Sequence, residues 1–260
     1  MAFTIEKDGI TKSLLSFFMQ CPRKFSFIIN GLARKPSVAM TVGTYGHKAL
    51  EIKRKTGLLR LPVVKEGAYL KSVITGILKI LCPAYFDFWQ LQENGKPHKP
   101  EVVFDLQKDG MRLRGRIDDQ LPDGIILDTK FKGRVDDSAI VNSLKNSIDG
   151  LFLCYANNCR DFILDVVKMP RIIEGKEPDY VKINDEVRNN PQEYFKRFQI
   201  TYSDEDIINF RDELLEYVNL IKCAHNTRNL AACWNCDFVN YCTAGDKTGL
   251  MNQELFTELK

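Results

Sequence analysis

The sequence has almost no excess of charge of either sign, since 37 Lys and Arg residues stand against 34 Asp and Glu residues and give a formal net charge of +3. Total charge therefore gives no argument for a nucleic-acid partner, and any phosphate-binding surface must be local. Internal repeats, low-complexity tracts and a convincing linker are also missing, which argues against fibrous, disordered and collagen-like classes. A chain of 260 residues is long enough to bury one substantial core.

Long apolar runs are missing as well. The first ten residues contain no basic region followed by an apolar stretch, and SLLSFFM at 13–19 is too short to span a bilayer. We therefore expect a soluble, intracellular protein with no membrane contact. In a reducing compartment its eight cysteines are not expected to form disulfides, which leaves metal ligation, catalysis or burial as their uses.

The cysteines divide into two groups. Four are predicted to be small buried side chains, namely Cys82, Cys154, Cys159 and Cys223. The others are Cys21 and the three of CWNCDFVNYC, residues 233–242, which have C-x2-C-x5-C spacing. Three thiolates at this spacing are typical of a metal or cluster site, but a closed site normally needs a fourth ligand. From the residues alone, zinc and iron–sulfur both stay open.

Residues 101–133, EVVFDLQKDGMRLRGRIDDQLPDGIILDTKFKG, have a hydrophobic period of two and predict a three-stranded meander. The Asp-Gly pair favours a two-residue type I′ hairpin loop, which sets Glu101 opposite Asp118. The Pro-Asp-Gly sequence favours a three-residue loop, a type I turn followed by a left-handed Gly, which pairs Leu121 with Ile125 and sets Asp118 opposite Asp128. Three carboxylates should then form one rung across three strands.

Alternation separates an apolar face of this meander from a charged face. The predicted core face consists of Val102, Phe104, Leu106, Met111, Leu113, Ile117, Leu121, Ile125, Leu127 and Phe131. The other face consists of Glu101, Arg112, Arg114, Arg116, Asp118, Asp128, Lys130 and Lys132. Like charges opposite each other cost about 0.2–1 kcal/mol per pair. Either the basic neighbours neutralise a solvated face, or the carboxylates bind a divalent cation such as Mg²⁺ or Mn²⁺.

The remaining sequence predicts helices and two further strands. The helices are expected at 12–31 with a kink or break at Pro22, around His47 after a Gly-rich stretch, and at 65–94, 138–158 and 203–226. The strands are expected at FILDVVKM and FKRFQITY.

Several of these motifs resemble one known family. Asp118 followed by Asp128-Thr129-Lys130 resembles the Asp…(Asp/Glu)-x-Lys signature of the PD-(D/E)XK nuclease superfamily. GTYGHKALE is similar to the Gly-x-x-x-His segment of its RecB-like branch, and PEVVF, RGRID and LDTK are close to that branch's strings. QCPRKF together with CWNCDFVNYC resembles the members that hold a [4Fe-4S] cluster with one N-terminal and three C-terminal cysteines. These include AddB-type recombination nucleases and the CRISPR-associated nuclease of adaptation modules.

The resemblance implies an α/β fold with a restriction-endonuclease-like core, in which helices flank a mixed central sheet, together with a helical annex and a C-terminal cluster-binding segment. It implies one nuclease domain over residues 1–260. Its expected parts are an N-terminal helix with the first cluster cysteine (12–35), a helical part with the metal-binding histidine (36–100), the catalytic sheet core (101–202), and a C-terminal helix with the cluster segment (203–260).

The resemblance also implies roles for individual residues. The expected ligands of Mn²⁺ or Mg²⁺ are His47, Asp118, Asp128 and the carbonyl of Thr129. The expected ligands of the [4Fe-4S] cluster are Cys21, Cys233, Cys236 and Cys242. Lys130 would orient the attacking water and stabilise developing charge, and Glu101 would support the ion or bind a second one. Glu51, one turn after His47, either orients the histidine or is a solvated partner.

One departure from the family concerns the helix after the lysine strand, where Gln-x-x-x-Tyr is usual. Tyr155 is present and is a candidate catalytic residue, but Leu151 occupies the Gln position. The simpler interpretation of Tyr155 is that it belongs to an apolar packing face of that helix.

The implied activity is metal-dependent hydrolysis of DNA by an exonuclease that acts on single-stranded ends in recombination, repair or phage DNA processing. The expected location is the cytoplasm of a bacterial, archaeal or phage-infected cell, with a helicase or recombination partner. The expected DNA contacts are Arg23, Lys24, Lys48, Lys53, Arg54, Lys55, Lys132 and Arg134. The alternative, prompted by Leu151, is a non-catalytic iron–sulfur DNA-binding or adaptor protein that keeps the nuclease fold. A third hypothesis is a zinc-stapled scaffold protein.

Overall fold

The computed structural model describes residues 3–93, 98–223 and 226–252, with only the backbone of 90–93. The helices of this part are α1 (Ile5–Asp8), α2 (Lys12–Gln20), α3 (Pro22–Ile29), α4 (Val38–Thr56), α5 (Ala68–Glu93), α6 (Asp137–Leu144), α7 (Ile148–Asn157), α8 (Tyr180–Asn189), α9 (Pro191–Tyr194), α10 (Asp204–Lys222) and α11 (Val239–Ala244). Its strands are β1 (Leu32–Arg34), β2 (Lys99–Lys108), β3 (Met111–Gln120), β4 (Ile126–Lys132), β5 (Asp161–Lys168), β6 (Phe195–Thr201) and β7 (Leu250–Asn252).

A mixed five-stranded sheet with the order β2-β3-β4-β5-β6 lies at the centre. Its neighbours are antiparallel except for β4 and β5, which are parallel. A parallel pair needs a crossover connection, and α6 and α7 supply it. The short strands β1 and β7 form a separate antiparallel sheet. The predicted α/β fold class, a mixed central sheet flanked by helices, is confirmed.

Helices cover both faces of the sheet, so two cores lie on its opposite sides. The first core, formed with α2, α7 and α10, includes Leu15, Leu113, Phe152, Phe162 and Leu214. The second core, formed with α4, α5 and α8, includes Leu50, Ile74, Leu81, Val167 and Val187. Full burial of one such aliphatic or aromatic side chain contributes about 1.5–3 kcal/mol, so these two layers hold the helices on the sheet.

The predicted loop lengths and register of the meander are correct, but the type of the second turn is wrong, because Asp123 as well as Gly124 is left-handed, with φ values of 67° and 81°. Asp109 and Gly110 have left-handed φ values of 48° and 76°, and β2 pairs Pro100 with Asp119 and Val102 with Ile117, so Glu101 and Asp118 are in line between these pairs without forming a pair themselves. The Leu121 amide donates to the Ile125 carbonyl at 2.9 Å, as the three-residue loop requires. Local turn chemistry was therefore sufficient to place three strands in phase.

The prediction of one shared core face for the meander is wrong at β4. Met111 and Ile117 lie in the first core, whereas Phe131 packs with the second core. β4 has two rungs with β3 but seven with β5. Its side chains therefore follow the pleat of β5, and alternation along β3 does not determine their direction.

Most predicted helices are present, with some changes at their ends. The first predicted helix is broken between α2 and α3 at Cys21, which is extended (φ −167°) and precedes Pro22 at the first position of α3. The helix predicted at 138–158 is two helices, and residues 94 and 224–225 of two other predictions lie outside the described residues. The helix α8 was missed because its sequence is mostly polar, with only Ile183 and Val187 buried.

Among the described helices, α5 alone is long and apolar enough, over 68–89, to cross a membrane by length and composition. This is weak evidence for a span, because a core helix of a globular protein meets the same criteria. The buried side chains of α5 pack into the second core, which is the environment of such a core helix.

Candidate active site

The predicted carboxylates lie where β3 and β4 separate. The ladder between these strands ends at the pair Asp119–Leu127. Beyond this pair the Thr129 amide donates to Oδ2 of Asp118 at 3.0 Å. A side chain of β3, rather than its backbone, therefore accepts the hydrogen bond of this β4 amide. The same oxygen lies 3.2 Å from Nδ1 of His47 on α4. The structure thus brings His47 and Asp118 together beside Thr129.

Two glycines allow α4 to approach β4 closely enough for this contact. A Cβ atom added at Gly46 would lie 2.7 Å from Cε1 and 2.8 Å from Cε2 of the Phe131 ring, whereas one added at Gly43 would lie 3.4 Å from the Phe131 Cβ. The His47 ring packs edge-on against the same Phe131 ring, with centroids 5.4 Å apart. The glycines of the Gly-rich motif are therefore needed for helix–sheet packing inside a continuous helix.

Replacing Gly46 with alanine is expected to destabilise the protein by about 1–3 kcal/mol, because the new methyl group overlaps the Phe131 ring and must push α4 away. Gly43→Ala is the matched control, since its methyl group meets only a tight contact and alanine gains up to about 1 kcal/mol in helix propensity. Urea unfolding of both variants would measure the difference. Equal stabilities would show that Phe131 does not set the distance of α4 from β4.

Asp128 is buried and is bound by two ammonium groups. Its Oδ1 lies 2.7 Å from Nζ of Lys12, and its Oδ2 lies 2.9 Å from Nζ of Lys130. Burial would raise the pKa of Asp128, but the charges of Lys12 and Lys130 lower it well below its usual range. The Lys130 ammonium also binds Asp149 on α7, at 2.9 Å. Asp128 is therefore ionised and Lys130 is held between two carboxylates.

The half-buried carboxylate of Asp118 is also ionised. Partial burial and the nearby charge of Asp128 both raise its pKa, but the contacts with His47 and the charge of Lys12 lower it more, so that the net shift is downward. The Asp118 and Asp128 carboxylates thus repel each other, and cationic groups compensate them.

Glu101 lies at the other end of the carboxylate rung in an unusual conformation. Its φ of 57° is in the left-handed region, and it interrupts the ladder between β2 and β3. Burial raises the pKa of Glu101, Arg116 at 3.2 Å lowers it, and the charges of Glu51 and Asp118 raise it further. Such a backbone costs about 1–3 kcal/mol and is concentrated at functional sites.

The donor set fits a divalent cation. An imidazole with two carboxylates suits Mn²⁺ and also allows Mg²⁺. In residues 3–93, 98–223 and 226–252, however, no three His, Cys, Asp or Glu side chains converge as a finished ion site. His47 and Asp118 are already in contact, while lysines bind both oxygens of Asp128. A divalent ion bound by Asp118 and Asp128 would neutralise the negative charge that the Lys12 ammonium now compensates.

Two of the residues at the site, Lys12 and Asp149, were missed in the sequence. Asp149 lies two positions before Leu151, on the helix where the resembled family has its Gln, so a search of that helix for polar groups would have found it. Lys12 is 116 residues away from Asp128 in sequence and carried no signal.

Tyr155 is not part of this group of side chains. It is buried, its hydroxyl donates to Oδ2 of Asp109 at 2.5 Å, and its ring packs against Phe210. Asp109 is in the hairpin loop, at the end of β2 and β3 opposite to Glu101 and Asp118. This placement agrees with the interpretation of Tyr155 as a packing residue of α7.

The predicted cluster cysteines come from both ends of the chain. The Asn229 amide donates to Sγ of the buried Cys21 at 3.4 Å, and the Cys233 thiol donates to the Asn229 carbonyl at 3.5 Å. Asn229 therefore touches thiols from the two parts of the chain. Cys236 and Cys242 are half-buried in the segment that follows.

The four cysteines predicted to be buried differ from one another. Cys82 and Cys154 are buried and Cys159 is half-buried, but Cys223 is exposed at the end of α10, so its predicted burial is wrong. It follows the last helical residue, Lys222, where the helix no longer presents one face to the core.

The predicted DNA contacts are distributed over three elements, and the prediction is wrong for Arg54, whose side chain is 7% exposed and pairs with Asp119. The α3 residues Arg23 and Lys24 contact the Asn226 carbonyl at 3.3 Å and Gln20 at 3.0 Å, respectively. Lys48 on α4 donates to Glu51 at 2.5 Å. Lys132 ends β4, and the exposed Arg134 follows it.

No protein-family model and no curated protein sequence matches this chain. Its fold does match solved structures. A protein from Eubacterium rectale described as "Putative exonuclease" has a TM-score of 0.52 at 12% identity, over 93% of this chain and 93% of that chain. The two chains share one fold.

Two other solved structures resemble this chain less, with TM-scores below 0.5. A phage related exonuclease from Haemophilus somnus 129PT has a TM-score of 0.41 at 16% identity, over 83% of this chain and 96% of that chain. An alkaline exonuclease from Laribacter hongkongensis has a TM-score of 0.29 at 11% identity, over 82% and 91%.

Proposed function

We propose that this protein is a metal-dependent nuclease that hydrolyses the phosphodiester bonds of DNA. The observation that carries the proposal is that two pairs, His47 with Asp118 and Lys130 with Asp128, lie where β3 and β4 separate, with the charge of Asp128 acting on Asp118. The fold shared with the "Putative exonuclease" of Eubacterium rectale supports it.

The residues of the site have distinct roles in this reaction. His47, Asp118, Asp128 and the Thr129 carbonyl would hold Mn²⁺ or Mg²⁺, which supplies an activated water and neutralises phosphate charge when bound. Burial lowers the pKa of Lys130, but the Asp128 and Asp149 carboxylates raise it more, so that it lies above its usual range. In its protonated form Lys130 would donate hydrogen bonds to water or phosphate.

Glu101 would support the ion from the end of the rung or bind a second one. Its raised pKa and left-handed backbone are the features that support a role at this site. Tyr155 would contribute through packing of α7.

The proposed substrate is a single-stranded DNA end, cleaved exonucleolytically in recombination, repair or phage DNA processing, with a helicase or recombination partner to supply strands. The basic groups on α3, α4 and after β4 support a DNA path along these elements, because phosphate contacts need local cations more than total charge.

The test compares end-labelled single-stranded and duplex DNA, incubated with the purified protein in Mn²⁺ or in excess chelator. The expected result is progressive shortening of single strands in Mn²⁺ and none in chelator. Strands blocked at one end give the polarity. Intact DNA in Mn²⁺, Mg²⁺ and every substrate form would overturn the proposal.

A non-catalytic DNA-binding or adaptor protein is the second candidate. It is favoured by Leu151 at the position of the usual Gln and by the Lys12 ammonium bound to Asp128 at 2.7 Å. Tight binding of single strands without cleavage, in the same reactions, would support this candidate against the nuclease.

The four cysteines Cys21, Cys233, Cys236 and Cys242 would hold a [4Fe-4S] cluster that ties α2 and α3 to the C-terminal segment. The shared contacts of Cys21 and Cys233 with Asn229 support this assignment, and zinc is its competitor. Closing so long a loop would fix the N-terminal helices against the C-terminal segment.

Anaerobically purified protein is expected to be brown, with a broad visible absorption band and about four iron atoms per chain. Cys21→Ser is expected to lose the colour and most of the iron, because it removes one of four ligands. Cys223→Ser is the matched control, since that thiol is exposed and outside the set. A colourless wild-type protein with one zinc ion per chain would instead support the zinc-stapled scaffold.

A further inference from the structure

A connected series of polar and charged side chains, called here the polar chain, crosses the second core next to the proposed active site. It consists of Arg197, Asp165, Tyr85, Arg54 and Asp119. Both carboxylates are 0% exposed, and the Arg54 side chain is 7% exposed. Burying such ions costs several kcal/mol each, and apolar residues of similar volume would often be at least as stabilising.

The outer half of the polar chain links α5 to β5 and β6. Arg197 donates to both oxygens of Asp165, each at 2.7 Å, and its guanidinium lies 4.2 Å from the centre of the Trp89 ring. The Tyr85 hydroxyl donates to Oδ2 of Asp165 at 2.5 Å. This half fastens the sheet to α5.

The inner half links α5 to α4 and β3. Nη2 of Arg54 donates to the Tyr85 hydroxyl at 3.0 Å, and Nε of Arg54 lies 3.2 Å from Oδ2 of Asp119. His98, just before β2, contacts the same oxygen of Asp119. Arg54 is therefore held on one side by Tyr85 and on the other by Asp119.

The residues of the inner half are close in sequence to two of the proposed metal ligands. Asp119 directly follows Asp118 on β3, and Arg54 is seven residues after His47 on α4, about two helical turns. The helix α4 thus has two polar attachments to neighbouring residues of β3, His47 to Asp118 and Arg54 to Asp119. Apolar packing alone is non-directional and would let α4 slide along the sheet, whereas a buried charged pair has one geometry.

We propose that Arg54 and Asp119 are positioning residues, which set the distance between His47 and Asp118 and thereby the affinity of the site for its divalent ion. The inference rests on the proposed metal-dependent function. Residues that bind and orient metal ligands without touching the ion typically lower metal affinity by about 10- to 100-fold when they are replaced.

The experiment measures Mn²⁺ binding by electron paramagnetic resonance of the free ion, in the full-length protein without DNA. Asp119→Asn keeps the size of the side chain but removes its charge, and Arg54→Lys keeps the charge but removes Nε, the atom that lies 3.2 Å from Asp119. Both are expected to weaken Mn²⁺ binding about 10-fold or more. Circular dichroism checks that each variant is folded, and Arg54→Lys carries the test if Asp119→Asn does not fold.

Tyr85→Phe is the control, because it removes the hydroxyl that Arg54 binds and leaves the Arg54–Asp119 contact in place. It is expected to lower stability but to bind Mn²⁺ as the wild type does. Folded Asp119→Asn and Arg54→Lys proteins with wild-type Mn²⁺ affinity would overturn the positioning role and leave the nuclease proposal standing. A wild-type protein that neither binds Mn²⁺ nor cleaves DNA would overturn both.

Discussion

Replacing Lys130 with alanine is expected to lower the rate of DNA cleavage about 10²- to 10³-fold, the usual loss when one preorganised donor to a developing negative charge is removed. Lys130 is bound by the carboxylates of Asp128 and Asp149, each at 2.9 Å, which keep it charged and hold its ammonium group in place. Mn²⁺ binding should change much less, because Lys130 is a neighbour of the ligands and not one of them.

Lys145→Ala is the matched control for this substitution. Lys145 is an exposed lysine whose ion pair with Asp206, at 3.7 Å, contributes about 0–1 kcal/mol. Its variant should cleave single strands as the wild type does. Lys130→Ala is expected to fold, because Asp128 keeps Lys12 and Asp149 is partly exposed. Undiminished cleavage by folded Lys130→Ala would contradict the proposed chemistry of the site.

Replacing Arg197 with methionine is expected to destabilise the protein by about 3–5 kcal/mol, because it leaves Asp165 buried without its bidentate partner. Asp165 is 0% exposed, so the carboxylate cannot reach water without displacing the second core. Urea unfolding measures the loss as a lower midpoint with an unchanged slope.

A double variant separates loss of the partner from loss of packing. Arg197→Met with Asp165→Leu removes both charges and is expected to recover much of the stability, because buried ion pairs are often no better than apolar residues of similar volume. The Tyr85 hydroxyl then loses its acceptor, so recovery should fall short by about 1 kcal/mol. If the double variant is as unstable as Arg197→Met alone, the cost arises from packing and not from the unpaired charge.

Local patterns in the sequence predicted the sheet register because turn chemistry acts over few residues. The loops at 109–110 and 122–124 have the predicted lengths, and they set the pairs Val102–Ile117 and Asp119–Leu127 on either side of Asp118. The Pro22 break in the first predicted helix is similarly local, and it places Cys21 between α2 and α3.

Hydrophobic alternation failed to predict the direction of the side chains where β4 separates from β3. The pattern assigned Phe131 to the face of Met111 and Ile117, but β4 pairs mainly with β5 and turns Phe131 toward α4. No local signal showed this, because the direction of a strand's side chains depends on its partner strand.

The sequence by itself determined the five strands of the central sheet, most of the longer helices and the motifs of the resembled family, because periodicity and turns depend on residues close together in sequence. Only the tertiary structure decided that Lys12 pairs with Asp128 and that Asp149 pairs with Lys130. It also decided that Arg54 pairs with Asp119, next to the site. These partners lie on different helices and strands, and long-range packing of both cores brings them together. A buried charge must find a counter-charge wherever the fold supplies one, and no local pattern specifies where.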